Sequence, residues 1–224
     1  MRVLRLSPRD DIEAFSAGGQ SFRAGINSTH KKHCQLILHE ERPRSAPPRY
    51  RLELAQALPK GDKLDLVLQK ATELGVTHVH LLHTERSDVR LKGERLEKRM
   101  QHWKKVVRAA TEQSGRRWVP ALSAPRTLEN FILTSARTTG TRKLIFEPTG
   151  APLPNASRPS HTTLLIGPEG GWSPDEQVFA GNHEFLSVRL GGYILRTETA
   201  ALAALSAIQQ DWGWCNREEL SETL

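Results

Sequence analysis

The spacing of hydrophobic and polar positions changes once along this chain. Up to about residue 40 the apolar positions come in short runs separated by turn residues. This spacing predicts strands over Arg2 to Leu6, Asp11 to Phe15, Ser21 to Ile26 and Cys34 to His39, with Ala17-Gly-Gly-Gln20 as a hairpin turn. A polar stretch with Pro43, Pro47 and Pro48 runs from Glu41 to Arg49 and reads as a linker. Beyond it, strand and helix periods alternate. Tyr50 to Ala57 reads as a strand. Leu64, Val67, Leu68, Ala71 and Leu74 then fall on one helical face that stops at Gly75. Thr77 to Leu82 is the next strand. Glu94 to Gln113 is a long helix with Leu96, Met100, Trp103, Val107 and Ala110 along one stripe and Arg95, Lys98, Arg99, Lys105 and Arg108 on the other side. A shorter helix follows Thr127, then a strand over Arg142 to Phe146 and a proline-rich loop from Glu147 to His161. Thr162 to Ile166 and Phe185 to Leu190 are the last strands. Ser173-Pro-Asp-Glu176 is a capping box, and a helix from about Glu198 to Trp212 closes the pattern. The expected organisation is a small β-rich domain over residues 1–45 and an α/β domain with a mostly parallel sheet over residues 46–224.

Composition narrows the class. The 224 residues are 38% hydrophobic and 25% charged, as in a soluble globular protein with a sizeable core. The start has no signal-peptide pattern and no apolar run approaches membrane-spanning length, so a cytoplasmic location is expected. Cys34 and Cys215 lie far apart and form no metal or redox motif. The net charge is +7, and eleven Lys or Arg against four Asp or Glu between Arg86 and Arg117 match that whole excess. A confined basic patch points to a polyanion, nucleic acid first among them. His78, His80 and His83 suggest a metal at first sight, but nothing near them in sequence completes a ligand set, so no metal is expected.

The candidate chemistry sits in two glycine loops. Leu164-Leu-Ile-Gly-Pro-Glu-Gly-Gly-Trp172 runs from an apolar strand into a glycine turn, at the strand end where open α/β sheets bind ligands. Glycines there let a ligand approach main chain, although a plain tight turn has the same composition. In Leu190-Gly-Gly-Tyr-Ile-Leu-Arg-Thr-Glu-Thr-Ala200 a glycine turn runs into a helix of small residues. Tyr193, Ile194 and Leu195 can wall a slot for a flat ring, and Arg196 to Thr199 stand at a helix start with its free N–H groups. No Lys-Ser/Thr follows either set of glycines, which disfavours a nucleoside triphosphate.

These residues belong to a larger ordered set: Lys60-Gly-Asp-Lys63, Gln69-Lys-Ala-Thr-Glu-Leu-Gly-Val76, Thr84-Glu-Arg-Ser87, Ala110-Thr-Glu-Gln-Ser-Gly-Arg116 with Val119-Pro120, Ile166 to Gly171, and Ile194 to Ala200. In this order they resemble the bacterial 16S ribosomal RNA uridine-N3 methyltransferases of the SPOUT superfamily. The resemblance implies an α/β methyltransferase domain with a deep trefoil knot, preceded by a small PUA-like β-barrel. It further implies S-adenosylmethionine as cofactor and a homodimer acting on 16S ribosomal RNA in the 30S subunit. Family members carry additional residues ahead of the segment matching Arg2 to Leu6, so the expected barrel lacks its first strands, or the true start lies upstream.

By motif match, the resemblance assigns the cofactor to Phe146, Glu147, Ile166, Gly167, Pro168, Glu169, Gly170, Gly171, Leu190, Gly191, Ile194, Leu195, Arg196, Thr197 and Thr199. The uridine N3 proton must leave, or the anion at the flanking carbonyl oxygens must be stabilised. Arg196 is the expected stabiliser, because guanidinium stays charged and offers several donors. Glu198 and Glu169 are the candidate bases, and either would need a raised pKa to serve. Phosphate contacts are expected from Arg86, Arg95, Lys98, Arg99, Arg116 and Arg117. Trp172, beside the first loop, is a candidate for stacking. Two other readings stand beside this one: a knotted ribosomal RNA-binding protein without catalysis, and a knotted transfer RNA methyltransferase.

Overall fold

The computed structural model describes residues 7, 10–16, 18–30, 33–44, 48–135, 140–154 and 160–212. The expected strand Arg2 to Leu6, Ala17 of the expected hairpin turn, and Cys215 lie outside them. The chain folds as two compact units, one of residues Met1–Pro48 with Gly115–Val119, the other of Arg49–Ser114 with Pro120–Leu224. Among the described residues no helix is long and apolar enough to cross a membrane.

In the first unit β1 (Asp11–Phe15), β2 (Ser21–Thr29) and β3 (Cys34–Arg42) form an antiparallel sheet in that order. The last two are longer than their alternation predicts, and register shifts at Arg23/Ala24 and Ile26/Ser28 break the ladder between them. Residues 115–119 join this unit through an isolated bridge between Gly18 and Trp118 and an ion pair of Arg117 with Glu13 at 3.0 Å.

The second unit is built on a six-stranded sheet in which every pairing is parallel: β6 (Ala121–Thr127), β5 (His78–His83), β4 (Arg51–Ala57), β8 (His161–Ile166), β7 (Thr141–Pro152) and β9 (Leu186–Arg189), in that order across the sheet. β4 and β8 are central and stay buried through their carboxyl ends, as strands covered on both faces do. The helices are α1 (Lys63–Glu73), α2 (Gly93–Gln113), α3 (Leu128–Ser135), α4 (Pro174–Asn182) and α5 (Thr197–Trp212). Ala55, Leu82, Ile145 and Leu165 of the sheet pack with Leu128, Phe131 and Ile132 of α3 and with Ala180 and Phe185 on and after α4. α5 packs on α1 and β8, where Ala201, Ala204, Leu205 and Ile208 are fully buried. Small residues at two of those positions let the helix axis approach the neighbouring backbone closely.

Two departures from the sequence pattern have clear causes. β6 falls where no strand is expected: Ala-Leu-Ser-Ala-Pro-Arg-Thr lacks apolar alternation and holds Pro125. The strand is at the sheet edge, and its register slips opposite His80 and Leu82, the setting in which a strand proline is tolerated. β7 extends through Pro152 into the expected loop, because the segment after an irregularity at Phe146/Ala151 pairs again with β9.

Candidate active site

The carboxyl ends of β8, β7 and β9 face one cavity of about 590 Å³, within the usual size of a small-molecule site. Four of its anchors come from separate elements. Ser173 and Glu176 form the capping box that starts α4, and the other carboxylate oxygen of Glu176 accepts the Glu85 N–H at 2.8 Å. The loop after β5 is thereby fixed beside the loop after β8, where Arg86 donates to the Gly170 carbonyl at 3.1 Å. Trp172 is buried and its indole N–H donates to the Phe146 carbonyl at 3.1 Å, joining the β8 loop to the middle of β7. At the mouth of α5, buried Gln56 donates to Thr197 Oγ1 at 3.0 Å, and that hydroxyl donates to the Gly167 carbonyl at 2.5 Å. These bonds set both glycine loops on a rigid frame before any ligand arrives.

The glycines have distinct reasons. A Cβ on Gly167 would lie 3.2 Å from the Trp172 ring, and one on Gly150 would meet Val188 backbone at 2.6 Å. Gly171 and Gly191 hold φ of +68° and +71°, a region that disfavours side chains. Gly167→Val should therefore displace Trp172 and weaken cofactor binding; calorimetric titration of S-adenosylmethionine checks this, and unchanged affinity would remove Gly167 from the cradle.

Of the residues assigned to the cofactor, Phe146, Glu147, Ile166, Gly167, Pro168, Glu169, Gly171, Leu190, Gly191, Ile194, Leu195, Arg196 and Thr197 line the cavity. Gly170 and Thr199 do not. A Cβ on Gly170 would come within 3.1 Å of the Arg86 Cβ, and Thr199 is exposed in the first turn of α5. Glu198 also stands off the lining, partly buried.

Lys63, to which the sequence pattern gave no role in the site, sits between the carboxylates. Its ammonium donates to Glu169 at 2.8 Å and lies 3.7 Å from Glu198. Glu169 also accepts the Lys60 N–H at 3.2 Å. Partial burial works to raise the Glu169 pKa, but the hydrogen bonds from Lys63 and from main chain outweigh it and hold the group below its ordinary value. The same contact raises the Lys63 pKa. Glu169 is thus held as a carboxylate engaged with a cation, the opposite of the raised pKa that a base for this proton needs. Arg196 differs: it is exposed on the cavity wall, and its guanidinium has no hydrogen bond or ion pair among the described residues.

The six phosphate-contact candidates fall in different places. Arg86 is at the cavity rim. Arg95, Lys98 and Arg99 lie on α2, where Lys98 pairs with Glu94 and Arg99 with Asp62. Arg116 and Arg117 belong to the first unit. The histidines form no metal cluster among the described residues. His80 faces Glu53 instead, together with His161.

Residues 46–209 match the profile of the RNA methyltransferase domain. The chain belongs to this family. It is 35% identical over 215 residues, 92% of its length, to a Synechocystis protein named ribosomal RNA small subunit methyltransferase E, and it covers 68% of that relative. A Bacillus subtilis protein of the same name is 28% identical and 84% covered. Among solved structures, a ribosomal RNA small subunit methyltransferase E from Neisseria gonorrhoeae bound to S-adenosylmethionine superposes with a TM-score of 0.82 at 33% identity, covering 94% of this chain and 87% of that one. The profile match spans all six strands of the parallel sheet and every residue of the cavity.

Proposed function

We propose that this chain transfers a methyl group from S-adenosylmethionine to N3 of a uridine in 16S ribosomal RNA. The single observation that carries the reading is the cavity itself, in which two glycine loops, fixed by Trp172 and Thr197, enclose apolar walls with a guanidinium at the edge that is unpaired among the described residues. The cavity suits the cofactor in size and in its mixture of main chain and apolar side chains. It also holds an unsatisfied acceptor: the Glu147 Oε2 atom is buried without a hydrogen-bond partner, while its other oxygen accepts from Ser187. A buried oxygen of this kind can accept from a bound molecule or from an ordered water. When bound, S-adenosylmethionine supplies an electrophilic methyl group on a sulfonium.

The protein's own part is orientation and charge. Phe146, Ile166, Ile194 and Leu195 wall the cofactor space, and Gly167 and Gly191 give main chain to it. Arg196 directs its N–H groups toward the uracil carbonyl oxygens that gain charge as N3 loses its proton. Lys63 holds Glu169 by a hydrogen bond at 2.8 Å but stands 3.7 Å from Glu198, so the proton leaves to water or to Glu198 and not to Glu169.

The finer architecture belongs to the same proposal. β9 lies at the sheet edge outside β7, whereas α5, which follows it, packs on α1 and β8. The chain therefore returns past β7 between β9 and α5, a path that supports the trefoil knot. We assign the first unit to a PUA-like RNA-binding barrel, the functional form to a homodimer, and the site of action to the 30S subunit in the cytoplasm.

Labelled cofactor and undermethylated 30S subunits test the activity, with the product mapped as N3-methyluridine. Absence of transfer returns the non-catalytic RNA-binding reading, and transfer into transfer RNA instead supports the alternative substrate. Because Arg95 and Lys98 stand exposed on α2, affinity for the subunit should fall steeply with added salt. A flat salt response in a filter-binding series would remove that face from RNA contact.

A further inference from the structure

We propose that Tyr193 is the platform on which the target base stacks while N3 faces the cofactor, an inference that rests on the uridine reading above. Three aromatic side chains line the cavity: Phe146, Trp172 and Tyr193. Phe146 and Trp172 are packed into the interior, and the Trp172 N–H is already committed to the Phe146 carbonyl. Both are more than nine-tenths buried, which gives a base too little surface to stack on and takes Trp172 out of the stacking role its sequence position suggested. Tyr193 is 90% exposed, and Ile194 beside it is 85% exposed. A ring held out in water forgoes the burial that normally stabilises an aromatic side chain. The backbone imposes that placement, because Gly191 turns the chain at positive φ and neither Gly191 nor Gly192 has a neighbour that a side chain would meet.

The chemistry demands such a surface. N3 lies on the pairing edge of uracil, so the base must leave its stack before the atom can be reached. A base out of its stack recovers stacking on an aromatic face. Arg196 follows Tyr193 by three residues and lines the same cavity, its guanidinium unpaired among the described residues. Tyr193 then fixes the plane of the ring and Arg196 engages the carbonyl groups flanking N3. Tyr193 is a positioning residue in this scheme, and its phenol takes no part in proton transfer.

The test compares wild type with Tyr193→Ala and Tyr193→Phe, folding being secure for so exposed a side chain. The probe is a uridine-only oligoribonucleotide, titrated with the demethylated cofactor product present. Tyr193→Ala should weaken binding about 5- to 150-fold, with Tyr193→Phe close to wild type. Affinity for S-adenosylmethionine and the sedimentation behaviour should not move in either variant. Equal oligoribonucleotide binding by Tyr193→Ala, or none by the wild type, overturns the proposal. A parallel loss of cofactor affinity makes Tyr193 a cofactor wall, and a change of oligomeric state makes it a subunit contact; each overturns it too. Turnover of the wild type on 30S subunits is read separately, so failure of the underlying methyltransferase reading is distinct from failure of the Tyr193 assignment.

Discussion

Arg196→Ala is expected to lower methyl transfer to 30S subunits about 100- to 1,000-fold while cofactor affinity stays near wild type. The magnitude is that of removing one well-placed donor from a developing oxyanion. The reasoning starts from the charge inventory of the cavity. Lys63 is committed to Glu169 and Glu198, and Arg86 donates to the Gly170 carbonyl. Arg189, also on the lining, donates to the Gly150 carbonyl at 3.2 Å. Arg196 has no such partner among the described residues, so its donors remain available to substrate. Its loss should appear in kcat more than in KM for the cofactor, since the charge it answers exists only as the N3 proton departs. Arg196→Lys keeps the charge but not the planar fork, and should recover part of the rate. Turnover of Arg196→Ala within a few-fold of wild type would end this assignment. A large rise in the cofactor Kd would instead leave Arg196 with the cofactor-binding role that the motif match gave it.

Glu53→Ala should destabilise the protein by about 3 kcal/mol, the low end of what removing one partner from a buried charge network costs. For a chain of this size that corresponds to a melting temperature lower by about 6–12 °C. Glu53 is buried in the centre of the sheet, with one oxygen 2.6 Å from Arg51 and 3.5 Å from His80, and the other 3.3 Å from His161 and 3.1 Å from Thr163 Oγ1. Burial works to raise its pKa. The contacts with His161, His80 and Arg51 overcome that and hold the carboxyl well below the usual carboxylate range. Because the folded-state pKa is depressed, the stabilisation is complete above the unfolded value of about 4.3 and is lost as pH falls below it toward the folded pKa. The melting-temperature gap between wild type and Glu53→Ala should accordingly be widest near neutral pH and narrow as the solution is acidified below pH ~4. A gap independent of pH, or none at all, would show that the network contributes no charge-dependent stability.

The two cases differ in how far the sequence announced them. Arg196 stands in a local motif after a double glycine, so its candidacy needed no tertiary information. Glu53 drew no attention in sequence, because its partners His80 and His161 lie on strands that become its neighbours only through the order β5–β4–β8. The same holds for Lys63. Its place at the start of a helix is ordinary until the β8 loop brings Glu169 within 2.8 Å. Gly170 shows the opposite case: its motif groups it with the cofactor glycines, and only the fold shows that a side chain there would meet Arg86. His80 belongs to the His78, His80 and His83 run, from which no metal is expected; that it faces Glu53 is visible only in the sheet.

The alternating strands and helices, the basic stretch and both glycine loops follow from the sequence alone, because residue period and backbone freedom are local properties. Polar β6 with Pro125 escaped that logic, being defined by its neighbour and not by its own alternation. Tertiary structure alone decided which charges meet, which aromatic ring has a free face and which glycines touch the cavity. Those outcomes depend on strand order and loop direction, which join residues more than a hundred positions apart, as Gln56 joins Thr197. Closing so long a loop costs little more entropy than closing a moderate one, so the chain carries no local mark of where such partners lie.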